Sequence, residues 1–328
     1  MNFKNGLRSL CAVAVLGVAA VAQAADYPQG PVSMVISFPP GNSADMVGRT
    51  LAQHLETSLK TPVVVENKGG AGGVIGMDYV VRAKPDGQTI AVTSLSPVSV
   101  IPAVKKLPYD PATQLVPLSL LAQGPMVIVV PKNSPFNTLQ ELIDYAKANP
   151  GKLNYGSLGP GTISQMTTEL FAAAAGIDLT EIPYKGSAQA LTDMIGGQID
   201  LLFDGNASAM RQIEAGTVKG LAVTIPKRSP FMPDTPAISE TPIAGLQDFS
   251  SQGWMGAFAP AGTPPDVVAR LHKEIQNALQ TKEVIDRYAA SGLLAVGSET
   301  PQAFAEFVER DRNRWQGAAK MLGLSPSN

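Results

Sequence analysis

Residues 32–59, VSMVISFPPGNSADMVGRTLAQHLETSL, carry the first decision about the fold. Val32, Met34, Ile36 and Phe38 alternate with period two, which predicts a strand over 32–38. Pro39-Pro40-Gly41 then breaks the ladder. Beyond it Val47, Leu51, Leu55 and Leu59 recur every four residues, the apolar stripe of a helix. Asn42 is placed to cap that helix, with Asp45 three positions on in a capping-box arrangement. A strand that turns directly into an amphipathic helix is the opening unit of an α/β fold.

The same alternation continues outward. Short strands are predicted over 63–66 and 89–94. MVIVV (126–130) is apolar at every position, as suits a strand covered on both faces. Thr138 and Glu141 form a second capping box. Further strands are predicted over 154–157, 181–185, 199–204, 218–225 and 253–260, most of them separated by helical stretches. Three helices close the chain, the last with Thr300 as cap and Pro301 at its first position. Strand and helix in alternation predict mostly parallel sheets.

With 328 residues the chain exceeds the usual limit for one core, so two domains are expected. Candidate crossings lie near Gly124-Pro125 and 250–253. They divide the chain into 25–125 and 251–328 as one lobe and 126–250 as the other, and two crossings make a natural hinge.

Residues 1–24 read as a secretory leader. Lys4 and Arg8 precede the apolar run 10–21, and Ala22-Gln23-Ala24 has the small-x-small cleavage pattern. The run is too short for a membrane span. Cys11, the chain's single cysteine, stands near the start of that run and not after it, so no lipid anchor is expected. The expected location is the periplasm.

The formal charge of −2 offers no positive field to displace counterions, so nucleic acid is not an expected partner. One Cys excludes a disulfide scaffold. HExxH, CxxC, GxSxG and GxxxxGK[ST] are all absent from the sequence, so neither a metal nor a catalytic residue is predicted. His54 and His272 are the only imidazoles available to a secreted serine hydrolase built on Ser43 or Ser157, which is kept as a remote alternative.

Three glycine-rich turns remain: 38–43, 69–73 and 156–162. The first and third lead from strand to helix, where unpaired amides and partial positive charge gather. They are either plain turns and caps or sites for a carboxylate or phosphate. No Lys or Arg lies in the first or third, so recognition would rest on dipoles and hydroxyls.

The order and spacing of further segments make the chain familiar. FPPGNSAD (38–45), VVVENKGGAGGVIG (63–76), PDGQTI (85–90), KLPYDP (106–111), NYGSLGPGT (154–162), PYKGSAQALTDMIGGQIDLLFD (183–204), AVTIPKRSP (222–230) and FAPAGTP (258–264) resemble the Bug-type substrate-binding receptors of tripartite tricarboxylate transporters. The resemblance runs along essentially all of the chain after the leader. It implies a type II, two-lobed clamshell without cofactor, expected as a monomer, whose ligand is a small carboxylate and whose partners are membrane permease subunits. A membrane sensor is the alternative partner. It implies ligand contacts at Phe38, Gly41, Asn42 and Ser43, and at Ser157, Gly161, Thr162 and Ser164. Ser94, Ser96 and Asp204 are implied to face the cleft, with Asp204 either a ligand contact or a helix cap. Asn42 departs from the resemblance, since a second glycine is common at that position.

Overall fold

A computed structural model describes residues 27–324 and 326. The leader reading over 1–24 lies outside them. In chain order the strands are β1 (Val32–Ile36), β2 (Val63–Asn67), β3 (Thr89–Ser94), β4 (Leu115–Pro131), β5 (Asn154–Ser157), β6 (Thr180–Pro183), β7 (Leu201–Gly205), β8 (Val218–Val223), β9 (Gln252–Pro260) and β10 (Leu294–Ala295). The helices are α1 (Ser43–Leu59), α2 (Val74–Val81), α3 (Ile101–Val104), α4 (Leu139–Ala148), α5 (Ile163–Ala175), α6 (Ser187–Ile195), α7 (Asn206–Glu214), α8 (Pro265–Leu279), α9 (Lys282–Ala289) and α10 (Pro301–Met321).

β1 ends two residues before the alternation does, because the chain must leave the ladder ahead of Pro39 and Pro40, which have no N–H to give. The helix that follows is as read. Val47, Leu51, Leu55 and Leu59 are all buried, and Asn42 Oδ1 accepts from the Asp45 amide at 2.9 Å. The capping box differs in one bond. Asp45 Oδ2 accepts from the amide of Gly41, at 2.9 Å, and not from that of Asn42. Gly41 has a positive φ of 86°, which a glycine adopts freely and which turns its amide back toward the helix. The Thr138–Glu141 box forms as predicted.

Strands run in the order β2-β1-β3-β9-β4-β7-β5-β6, with β8 and β10 also on β4. β1 is parallel to β2 and β3, and β5 is parallel to β6 and β7. The parallel character expected from the alternation therefore belongs to the outer strands of each lobe. β9 and β4 run antiparallel between them. β4 is 17 residues long and serves both lobes. Its pairing with β9 extends to Pro125, and its pairing with β7 starts at Met126.

Each lobe's sheet is covered on both faces. In the first lobe Val32, Met34 and Ile36 pack under α1 and α8, while Val35 and Ala91 pack toward α2 and α10. In the second, Met126, Ile128 and Val130 join the core with Leu142 and Phe171, and Val127 and Val129 join Leu191 and Met194 on the other side. That is why MVIVV has no polar position. Burying each such side chain contributes roughly 1.5–3 kcal/mol. Among the described residues no helix is long and apolar enough to cross a membrane.

Candidate functional site

Where the two lobes meet, the starts of α1, α5, α6 and α7 converge on a cavity of about 110 Å³. Ser43, Ile163, Ser187 and Asn206, the first residues of those helices, all line it. Phe38, Asn42, Ser94, Ser96, Thr162 and Asp204 line it as well, so seven of the eleven residues read from the sequence meet there, Ser43 included. Leu95, Leu158, Trp254, Met255 and Leu293 supply apolar wall. No Lys or Arg is among the lining residues. Positive potential in the cavity therefore comes from helix ends, each a source of partial charge and unpaired amides, and from Arg211, whose charge reaches Asp204 from outside the lining.

Local bonding decides which of those amides are free. At α1 the Asp45 amide is taken by Asn42, and the amides of Ser43 and Ala44 have no intrahelical acceptor. The Asp45 carboxylate is held by Arg49 Nε at 2.9 Å and by Asn67 Nδ2 at 2.8 Å, and Asn67 Nδ2 also donates to the Phe38 carbonyl. Asp45 is thus the brace of the 38–42 loop, adding an ion pair with Arg49 to the capping place expected of it. Glu66 likewise pairs with Lys68 at 2.9 Å and with Ser33 Oγ at 2.8 Å. Those bonds hold its carboxyl below its ordinary value, the Lys68 bond foremost.

The third glycine-rich turn is spent differently from the sequence expectation. Gly161 N donates to Gln165 Oε1 at 2.6 Å, and Ile163 N donates to Ser96 Oγ at 3.2 Å. Ser157 Oγ donates to Glu181 Oε1 at 2.5 Å, and Gln165 Nε2 donates to the other carboxylate oxygen at 2.8 Å. Ser164 Oγ donates to the Phe203 carbonyl at 2.8 Å. Ser157, Gly161 and Ser164 therefore stiffen the wall and do not line the cavity, and Gly41 also lies outside the lining. His54 and His272 line neither this cavity nor the larger one beside it. His272 is held between the carbonyls of Leu118 and Glu299, so it is no partner for Ser43 or Ser157.

Asp204 is fully buried at the end of β7. Its Oδ1 accepts from Ser187 Oγ at 2.6 Å and from the Gly205 amide at 2.9 Å. Its Oδ2 has no hydrogen-bond partner among the described residues. Burial pushes its carboxyl above the ordinary value, against the opposing pull of Ser187, Ser208, Gly205 and the Arg211 charge. Asn206 Oδ1, on the same cavity, is also buried without a partner. Both oxygens can receive donors from a ligand.

The lobes are joined across the cleft by side chains. Arg211 Nη2 donates to the Gly41 carbonyl at 2.9 Å, Asn206 Nδ2 to the Gly292 carbonyl at 2.6 Å, and Ser96 Oγ receives Ile163 N. Ser187, Gly205, Asn206 and Ser208 were not read from the sequence. The sequence shows helices over 188–195 and 207–215, within a residue of where α6 and α7 begin, but not that their starts face the cavity.

Comparison with known proteins follows the same geometry. Residues 47–324 match the family described as the tripartite tricarboxylate transporter family receptor. Protein BugT of Bordetella pertussis is 34% identical over 313 residues, covering 95% of this chain and 95% of that protein. The solved structure of the periplasmic binding protein BugD superposes with a TM-score of 0.84 at 36% identity, over 92% of this chain and 100% of that one. Rpa4515 of R. palustris, solved with adipate, gives 0.87 at 31% identity, over 92% and 100% of the two chains. This chain belongs to the tripartite tricarboxylate transporter receptor family.

Proposed function

We propose that the protein is a periplasmic receptor that closes its lobes, 25–125 with 251–328 against 126–250, on a small carboxylate. It then presents the loaded form to membrane permease subunits. The observation that carries this reading is the convergence of helix starts on one lobe-to-lobe cavity whose lining holds no fixed cation. Such a site suits an anion held by oriented amides and hydroxyls. The adipate bound by the Rpa4515 structure supports the same ligand class. In this reading Ser43, Asn42, Ser94 and Thr162 contact the carboxylate, Phe38 packs on its carbon chain, and Ser96 couples ligand to closure through Ile163. Gly41, Ser157, Gly161 and Ser164 hold the loops that present those contacts. Asp204 and Asn206 receive donor groups from the rest of the ligand. Hydrogen bonds to a charged group are worth about 1.5–3 kcal/mol each, so a few reach micromolar affinity, about 8 kcal/mol, after ordering costs.

A thermal-shift screen of mono-, di- and tricarboxylates, hydroxy acids and acidic amino acids tests the reading. An acid present at 100 times its Kd should add about 2.7 kcal/mol to stability. The absence of any stabilising acid, together with no acid found by native mass spectrometry in freshly purified protein, would end it.

Asp204 supplies a second measurement. A carboxyl whose folded pKa is raised binds its proton more tightly folded than unfolded, so it lowers stability as pH rises above the unfolded value of about 3.9. Below that value the penalty vanishes. The stability of Asp204→Asn relative to wild type is therefore expected to climb as pH rises from about 4 toward neutrality. Chemical denaturation of both proteins across that range checks it, and a pH-independent difference would place the buried group's charge elsewhere.

A further inference from the structure

Beside the inner cavity lies a larger one, about 770 Å³, which shares Leu158 with it and takes Pro39 and Pro40 immediately after Phe38. This vestibule is where the 69–73 glycine turn ends up: Gly69, Gly70, Ala71 and Gly72 form part of its wall. The glycines are there for close packing. A Cβ on Gly69 would lie 2.7 Å from Pro39 Cδ, and one on Gly72 would lie 3.0 Å from Thr162 Cγ2, across the cleft.

The vestibule's charge is one-sided. Lys105 and Lys106, just after α3, reach it from the first lobe, and Lys185, just after β6, reaches it from the second. No acidic residue is among its lining. All three lysines are exposed, and none forms an ion pair among the described residues. Nearby carboxylates are committed elsewhere. Glu181 is bound by Ser157 and Gln165, and Glu66 by Lys68. The chain as a whole is slightly negative, so this positive field is local. No Lys or Arg lines the inner cavity, and Arg211, whose charge reaches Asp204 there, is tied to the Gly41 carbonyl.

We propose that this vestibule is an anion-capture site, in which Lys105, Lys106 and Lys185 draw carboxylates toward the inner cavity and favour ligands with two or three negative charges over monocarboxylates. The inference rests on the inner cavity being a carboxylate site. Clefts lined by one sign of charge raise association rates by factors of about 10 to 1,000, and salt suppresses the gain. The Debye length is about 30 Å at 0.01 M and about 10 Å at 0.1 M ionic strength, so the effect belongs to low salt.

Two measurements on wild type and a K105Q/K106Q/K185Q variant test it. The first needs no ligand. Paramagnetic broadening of the Gly70 and Gly159 amides by a carboxylate-bearing nitroxide is expected to exceed that by an ammonium-bearing one, and the excess should vanish in the variant. Equal broadening in wild type would overturn the proposal. The second follows binding of benzoate, adipate and citrate by stopped-flow Trp fluorescence, since Trp254 lines the inner cavity. At 0.01 M ionic strength the variant's association rate for the multiply charged acids that bind should fall about tenfold, and for benzoate less than threefold, with dissociation rates unchanged. Equal losses for all acids, or none, would overturn it. Biased nitroxide broadening with no acid binding at all would instead sink the carboxylate reading of the inner cavity, and the capture role with it.

Discussion

Phenylalanine at position 43 is expected to weaken carboxylate binding at least 100-fold, a loss of about 2.7 kcal/mol. Ser43 opens α1 and faces the opposite lobe across the cavity. A Cβ built on Gly205 would lie 3.5 Å from its hydroxyl oxygen. A cavity of about 110 Å³ does not hold both an aromatic ring and a ligand. Ser43→Ala should cost less, about tenfold, because it removes one hydroxyl and leaves the amides in place. Calorimetric titration with whichever acid the thermal screen identifies gives both numbers. Ser43 is only half-buried, so the ligand-free variants should melt close to wild type. Undiminished affinity in Ser43→Phe would place the ligand outside this cavity.

The largest effect on folding is expected at Trp254. The ring is buried in β9 against Phe258, Phe304 and Phe307, with centroids 6.4, 5.7 and 5.5 Å away. Its Nε1 donates to Asp311 Oδ2 at 2.9 Å. Burial already pushes the Asp311 carboxyl above its ordinary value, and the Trp254 bond is the strongest influence holding it down. Trp254→Ala should cost about 3–5 kcal/mol from the void, and more from the carboxylate left without its donor. Trp254→Phe separates the two effects: it keeps most of the packing and should cost about 1–3 kcal/mol. Losing the donor raises the Asp311 pKa further, so the Phe variant's deficit should widen once pH passes the wild-type folded pKa of Asp311, itself raised above the ordinary carboxylate value, and shrink below it. Urea unfolding at several pH values checks both. A Phe variant as stable as wild type at neutral pH would mean that the indole bond adds nothing.

Much of this was legible in the residues alone, for identifiable reasons. Period two in 32–36 and period four in 47–59 are direct images of strand and helix geometry, and Asn42 and Thr138 announce helix starts with side chains that do the capping. Phe38, Asn42, Ser43, Ser94 and Thr162 reach the candidate site because each stands where a strand gives way to a turn or a helix. β4 was half hidden. Pro117, Ser119, Gly124 and Pro125 spoil its alternation; the strand shifts register against β9 between Pro117 and Ser119 and between Leu120 and Ala122, and carries Gly124 and Pro125 in register opposite Gly253 and Gln252. Ser157 and Ser164 look like ligand donors in the sequence. Their direction depends on acceptors far along the chain, Glu181 and the Phe203 carbonyl, which no local pattern encodes. The helices over 188–195 and 207–215 were legible, but that Ser187 and Asn206 at their starts face the cavity depends on how the lobes pack, which no local pattern encodes.

A strand that is a structural member of two cores has a cost and a use. Melting of one half is expected to weaken the other, because β4 gives its first stretch to the β9 pairing and its last to the β7 pairing within one unbroken strand. Grip exerted by a guest in the cleft is therefore shared by the entire polypeptide, and heat or denaturant should meet one all-or-none object, not two modules on a tether.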